Sequence, residues 1–84
     1  SKPLGWRQVK MLQSLHLAES PMSLSSLRKA YAHQKRMAAI VFDAGVASAL
    51  VMKSLINRQF VDGDEVYALT PLGKDVAIET LAGR

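Results

Sequence analysis

The 84-residue chain reads as one α+β domain, mostly helical, with a single β-hairpin ahead of its last helix. Three observations predict this. Apolar residues recur at three- and four-residue spacing through residues 6–59. An Asp62-Gly63 turn signal then lies between two β-prone runs, Phe60-Val61 and Val66-Tyr67-Ala68-Leu69. Finally, Thr70-Pro71 opens a new helical pattern.

The first helix is expected over residues 6–18. Trp6, Val9, Leu12 and Leu15 make an apolar stripe, with Arg7, Lys10 and Gln13 on another face. Ser20-Pro21 ends it. Trp6 is read as a core anchor at the helix start, with an exposed stacking group as the alternative. A second helical segment is expected over residues 23–41, capped by Ser23 and striped by Leu24, Leu27 and Tyr31. The period continues to Ala38 and Val41. The segment therefore reads as one long helix or as two, and Ile40-Val41-Phe42 also suits a short strand.

Asp43 caps a third helix, expected over residues 44–59. It is apolar around much of its circumference: Ala49, Leu50, Ile56 and Phe60 form one face, and Val51, Met52 and Leu55 another. Such a helix is deeply buried or contacts a partner. Residues 37–52 are nearly all apolar or small. They fall short of the about 20 residues that span a bilayer, and Asp43 interrupts them, so core or a subunit interface is expected and no membrane span. The hairpin is expected over residues 60–69. Phe60 and Val61 should seal the helix end into the core, and Tyr67 and Leu69 should point inward. The last helix, residues 71–82, should present Leu72, Val76, Ala77 and Leu81 to the core, and Gly83 should end it.

Composition narrows the function classes. An apolar share of 49% suits a globular domain and is too high for a disordered one. With no cysteine there is neither a disulfide scaffold nor a thiolate metal site, which fits a cytoplasmic protein. No leading apolar run marks a signal peptide, and the leading Ser1 suggests further sequence upstream. A chain this short has a modest core, so a homodimer is a plausible addition. His16 and His33 lack a third ligand at metal-site spacing. The serines sit in no nucleophile-elbow context, no Gly-rich phosphate loop exists, and Asp62, Asp64 and Glu65 lack the rest of a calcium loop. The chain is expected to be non-enzymatic, without metal or small-molecule cofactor.

Charge is the most directional feature. Residues 1–42 carry Lys2, Arg7, Lys10, Arg28, Lys29, Lys35 and Arg36 against Glu19 alone, whereas residues 43–84 carry four cations against six carboxylates. A basic front half suggests an anionic partner on one face. A solvated surface without function is the plain alternative.

The string Arg58-Gln59-Phe60-Val61, an acidic turn, and Tyr67-Ala68-Leu69-Thr70-Pro71-Leu72-Gly73-Lys74 resembles the wing of the MarR- and PadR-like bacterial winged-helix regulators. The match is best over residues 46–81. This resemblance implies a winged helix-turn-helix of three to four helices with a two-stranded β-hairpin wing. It implies a DNA-binding transcription regulator whose recognition helix is residues 44–59. Gly73 would then allow close packing of the last helix. The front half departs from the pattern, because residues 38–45 read as an insertion or as an elongated second helix.

The DNA contacts so implied are Ser48, Lys53 and Arg58. The front-half cations Arg28, Lys29, Lys35 and Arg36 supply most of the charge, Arg28, Lys35 and Arg36 tracking one helix side, with Lys2, Arg7 and Lys10 in support. Gly45, Val46, Ala47, Ser48 and Ala49 offer no bidentate base reader, and the tip carboxylates Asp62, Asp64 and Glu65 would be repelled by phosphate. These two departures favour a second expectation: a winged-helix domain used for protein–protein contact or homodimerisation, through residues 38–46 as an exposed apolar stretch or through the acidic turn. Duplex DNA is the first expected partner, with a nucleoid location to match.

Overall fold

The computed structural model describes residues 3–83. Five α-helices and one hairpin follow in the order α1 (Trp6–Ala18), α2 (Leu24–Ala30), α3 (Lys35–Val41), α4 (Ala44–Met52), β1 (Ile56–Val61), β2 (Asp64–Leu69) and α5 (Pro71–Ala82). The domain is α+β and mostly helical, as expected, but has more helices than the three to four foreseen. The segment 23–41 is two helices, and a short 3-10 turn (Ala32–Gln34) separates them. Tyr31 makes the break: its N–H bonds the Arg28 carbonyl at 3.2 Å, and its own carbonyl accepts from Gln34 N–H at 2.8 Å. The Tyr31 ring packs 5.3 Å from that of Phe42, which fixes the two helices around the turn.

Three helix starts follow the capping logic of the sequence. Ser23 Oγ accepts from Ser26 N–H at 3.1 Å, Asp43 Oδ2 from Gly45 N–H at 2.9 Å, and Thr70 Oγ1 from Gly73 N–H at 2.9 Å. Pro71 occupies the first turn of α5, where its missing N–H costs nothing. Helix α1 ends one step before Ser20-Pro21, because Glu19 takes a left-handed conformation (φ 58°).

Helix α4 stops at Met52, so the expected helix over residues 44–59 is corrected: residues 56–59 are strand, and the hairpin spans 56–69 rather than 60–69. The cause is a Schellman end. Leu55 N–H reaches back to the Leu50 carbonyl at 3.0 Å, Ser54 N–H bonds the Val51 carbonyl at 3.0 Å, and Ser54 is left-handed at φ 62°. Leu50 and Leu55, the two residues that this motif brings together, are both buried.

The hairpin pairs Ile56 with Leu69, Arg58 with Tyr67 and Val61 with Asp64, leaving Asp62 and Gly63 as a two-residue loop. Both loop residues have positive φ (52° and 83°), as a type I′ turn requires. Met22, between α1 and α2, adds a one-residue bridge to the free edge of β2. Its N–H and carbonyl exchange bonds with Tyr67 at 2.9 and 2.8 Å. This tie is not apparent in the sequence.

One core forms where α1 packs on α5, α4, α3 and β2. Met11, Leu12 and Leu15 of α1 meet Leu27, Ala38, Val41, Phe42, Ala47, Leu50, Ile56, Tyr67 and Ala77. Each fully buried large side chain contributes about 1.5–3 kcal/mol. Residues 38–46 are therefore not an exposed apolar stretch: Ala38, Val41 and Phe42 belong to the core. Other expectations are also corrected. Trp6 is 56% exposed rather than a core anchor, because the α1 core face begins a turn and a half later, at Met11. Phe60 is 70% exposed and Val61 half exposed, since β1 carries both out toward the hairpin tip, beyond the last core contact of the strand, Ile56. Met52 and Leu72 also face outward, and Leu81 lies at the rim, leaving Gly73 and Ala77 as the buried contacts of α5.

Candidate nucleic-acid interface

Arg28 and Lys29 occupy the last turn of α2, where the outward carbonyls of the helix end favour cations. Lys35 and Arg36 open α3, after the 3-10 turn. All four are exposed, and none has an ion-pair partner among the described residues. Arg28, Lys35 and Arg36 do not track one helix side, because the chain turns between them at residues 31–34. The basic feature is instead a corner between two short helices. Tyr31 holds it from within against Phe42 and stacks on exposed His33, ring centroids 6.4 Å apart.

Ser48 and Arg58 form a second group, and the fold brings them together across ten residues of sequence. An Arg58 terminal nitrogen donates to Ser48 Oγ at 3.4 Å, which joins α4 to β1. The Arg58 Nε lies 3.5 Å from Glu65 Oε2, and its guanidinium sits 5.8 Å from the centre of the Tyr67 ring. The Tyr67 hydroxyl donates to the same Glu65 oxygen. Burial pushes the Tyr67 phenol above its ordinary value; its bond to Glu65 acts in the same direction, and Arg58 opposes it. The Arg58 guanidinium is raised, first by its contact with the Tyr67 hydroxyl and then by the charges around it. Lys53, exposed at the end of α4, stands apart from this network.

No local motif marks Glu65 and Tyr67 as partners of Arg58. The signal was present nonetheless. A two-residue Asp-Gly loop pairs Val61 with Asp64, and counting back three positions puts Arg58 opposite Tyr67.

Two surface recesses accompany these groups. One of about 450 Å³ runs between the start of α1 (Trp6, Arg7, Gln8) and the first half of α4 (Gly45, Val46, Ala49), with Asp43 at its edge. The Arg7 guanidinium lies 5.7 Å from the Trp6 ring centre. The other, about 390 Å³, lies among Leu15, His16, Pro21, Leu69 and Lys74. No cluster of three or more His, Asp or Glu able to hold a metal occurs among the described residues, and no described helix is long and apolar enough to cross a membrane. No protein-family model, curated protein or solved structure matches this chain.

Proposed function

We propose that the chain is a winged-helix module that binds duplex DNA without chemistry, of the kind used by transcription regulators. The order α1, bridge, α2, α3, α4, hairpin, α5 accommodates this reading, with α4 as the helix that leads into the wing and α3 as an additional element before it. The observation that carries the function is the exposed corner Arg28, Lys29, Lys35 and Arg36, four cations with no described carboxylate to neutralise them. Phosphates satisfy such a corner, and each neutralised phosphate releases counterions. The first half of α4 presents glycine, alanine, valine and one serine, so contact with the backbone outweighs base readout.

A mobility-shift titration tests the proposal. Binding should fade steeply between about 50 and 200 mM salt. The Arg28→Ala/Lys29→Ala/Lys35→Ala/Arg36→Ala variant should bind more weakly and show a shallower salt slope. No shift of any duplex at low salt would rule the reading out.

The second reading, contact with another protein or a second copy, is favoured by a different observation. Met52 is 86% exposed at the end of α4, and Phe60 is 70% exposed on the hairpin beside an acidic tip. Sedimentation that reports a dimer, lost in Phe60→Ser or Met52→Ser, would support it over the first.

A further inference from the structure

Arg58 is the one described cation held by a carboxylate. It is also the one that donates to a hydroxyl on α4. We infer that Ser48 and Arg58 form a single phosphodiester-binding pair between α4 and the hairpin, and that Glu65 is its intramolecular competitor. The inference rests on the DNA-binding reading above and deepens it, because it assigns the acidic hairpin a regulatory part.

The geometry supports each step. The guanidinium turns one nitrogen to Ser48 and another to Glu65, so two of its donor directions are already committed within 3.5 Å. A phosphate carries two oxygens that accept from guanidinium side by side, and it can also accept the Ser48 hydroxyl proton, which no described group takes while Ser48 accepts from Arg58. A carboxylate offers the guanidinium the same kind of acceptor, so the two anions compete for one place. Displacing Glu65 is easy: the Arg58 and Glu65 side chains are 39% and 43% exposed, and a solvated ion pair is weak. Once released, Glu65 keeps the Tyr67 hydroxyl as a donor and is not stranded. The Tyr67 ring supports the guanidinium in either state.

The test measures anisotropy of a labelled duplex, from about 50 to 200 mM salt, with five proteins: the parent, Glu65→Gln, Arg58→Ala, Arg58→Ala/Glu65→Gln and Ser48→Ala/Glu65→Gln. Glutamine keeps the shape of Glu65 and an acceptor for Tyr67, so the fold is retained. Glu65→Gln should bind about threefold tighter than the parent, the scale of an exposed ion pair. In the Arg58→Ala background the same substitution should change nothing. Adding Ser48→Ala to Glu65→Gln should return part of the gain, and full retention would remove Ser48 from the site. An equal gain with and without Arg58 would mean general charge repulsion and overturn the inference, as would no gain at all. Failure of all five proteins to bind at low salt would overturn the DNA reading itself. Binding that ignores residue 65 would overturn this inference and leave the DNA reading standing.

Discussion

A Cβ placed on Gly73 would lie 1.8 Å from the Leu55 carbonyl oxygen and 2.8 Å from its carbon. The first turn of α5 is therefore laid directly on the backbone between α4 and β1, a closeness only glycine permits. The same Leu55 oxygen accepts from Thr70 N–H at 3.1 Å, so it cannot retreat without loosening the junction. Gly73→Ala should destabilise the domain by about 3 kcal/mol, at the upper end of overpacking costs. A urea melt checks this through its midpoint. A midpoint within error of the parent would mean that α5 can shift as a body.

Ser54 has a backbone conformation that suits glycine better. It is the left-handed residue of the Schellman end of α4 (φ 62°), and its side chain makes no hydrogen bond among those described. Ser54→Gly removes the Cβ strain and leaves the motif's backbone bonds intact. The variant should be more stable by up to about 1 kcal/mol, the left-handed penalty less the added freedom of the unfolded glycine. A lower thermal midpoint than the parent would contradict it.

That serine also explains where the sequence misleads. Asp43, Ser23 and Thr70-Pro71 announce their helix starts, and Asp62-Gly63 announces the turn, because each supplies a side-chain acceptor or a permitted φ at the place required. The end of α4 carries no such mark, since serine rather than glycine takes the left-handed position. Leu50, Leu55 and Ile56 are apolar at spacings that fit a continuing helix, so the pattern extends the helix into what is strand. The break in residues 23–41, left open by the pattern, has no mark of its place at Tyr31, with neither glycine nor proline there. The cations of the basic corner were identifiable by type, but their arrangement depends on that break. The Arg58 network was recoverable only through the register set by the turn.

Thr70 ties the start of α5 to the end of α4 with one hydroxyl. Its Oγ1 accepts from Gly73 N–H at 2.9 Å to cap α5, and donates to the Ser54 carbonyl at 2.7 Å at the end of α4. Thr70→Ala should cost about 1–2 kcal/mol, a strong helix cap, and Thr70→Ser should keep most of the stability because the hydroxyl remains. Denaturant midpoints for the pair separate hydroxyl from methyl. If serine were as poor as alanine, packing of the methyl rather than the two hydrogen bonds would be responsible.

Tyr67 gives the fold an alkaline limit. Its ring is in the core, and its backbone carries the Met22 bridge. Burial first, and the hydrogen bond to Glu65 second, raise its phenol above the value it has in the unfolded chain. A raised folded pKa means that the native state holds the proton more tightly than the unfolded state. Its stabilising contribution is complete below about pH 10, the ordinary tyrosine value. It is lost as pH rises from there through the raised folded value. Tyr67→Phe has no proton to lose and should show a shallower fall in stability above about pH 10. At neutral pH the variant should be weaker by about 1 kcal/mol, the hydrogen bond to Glu65. Urea melts at intervals from about pH 8 to above pH 10, the ordinary tyrosine value, would give the two curves. Parallel curves through this range would show that ionisation of Tyr67 is not coupled to folding.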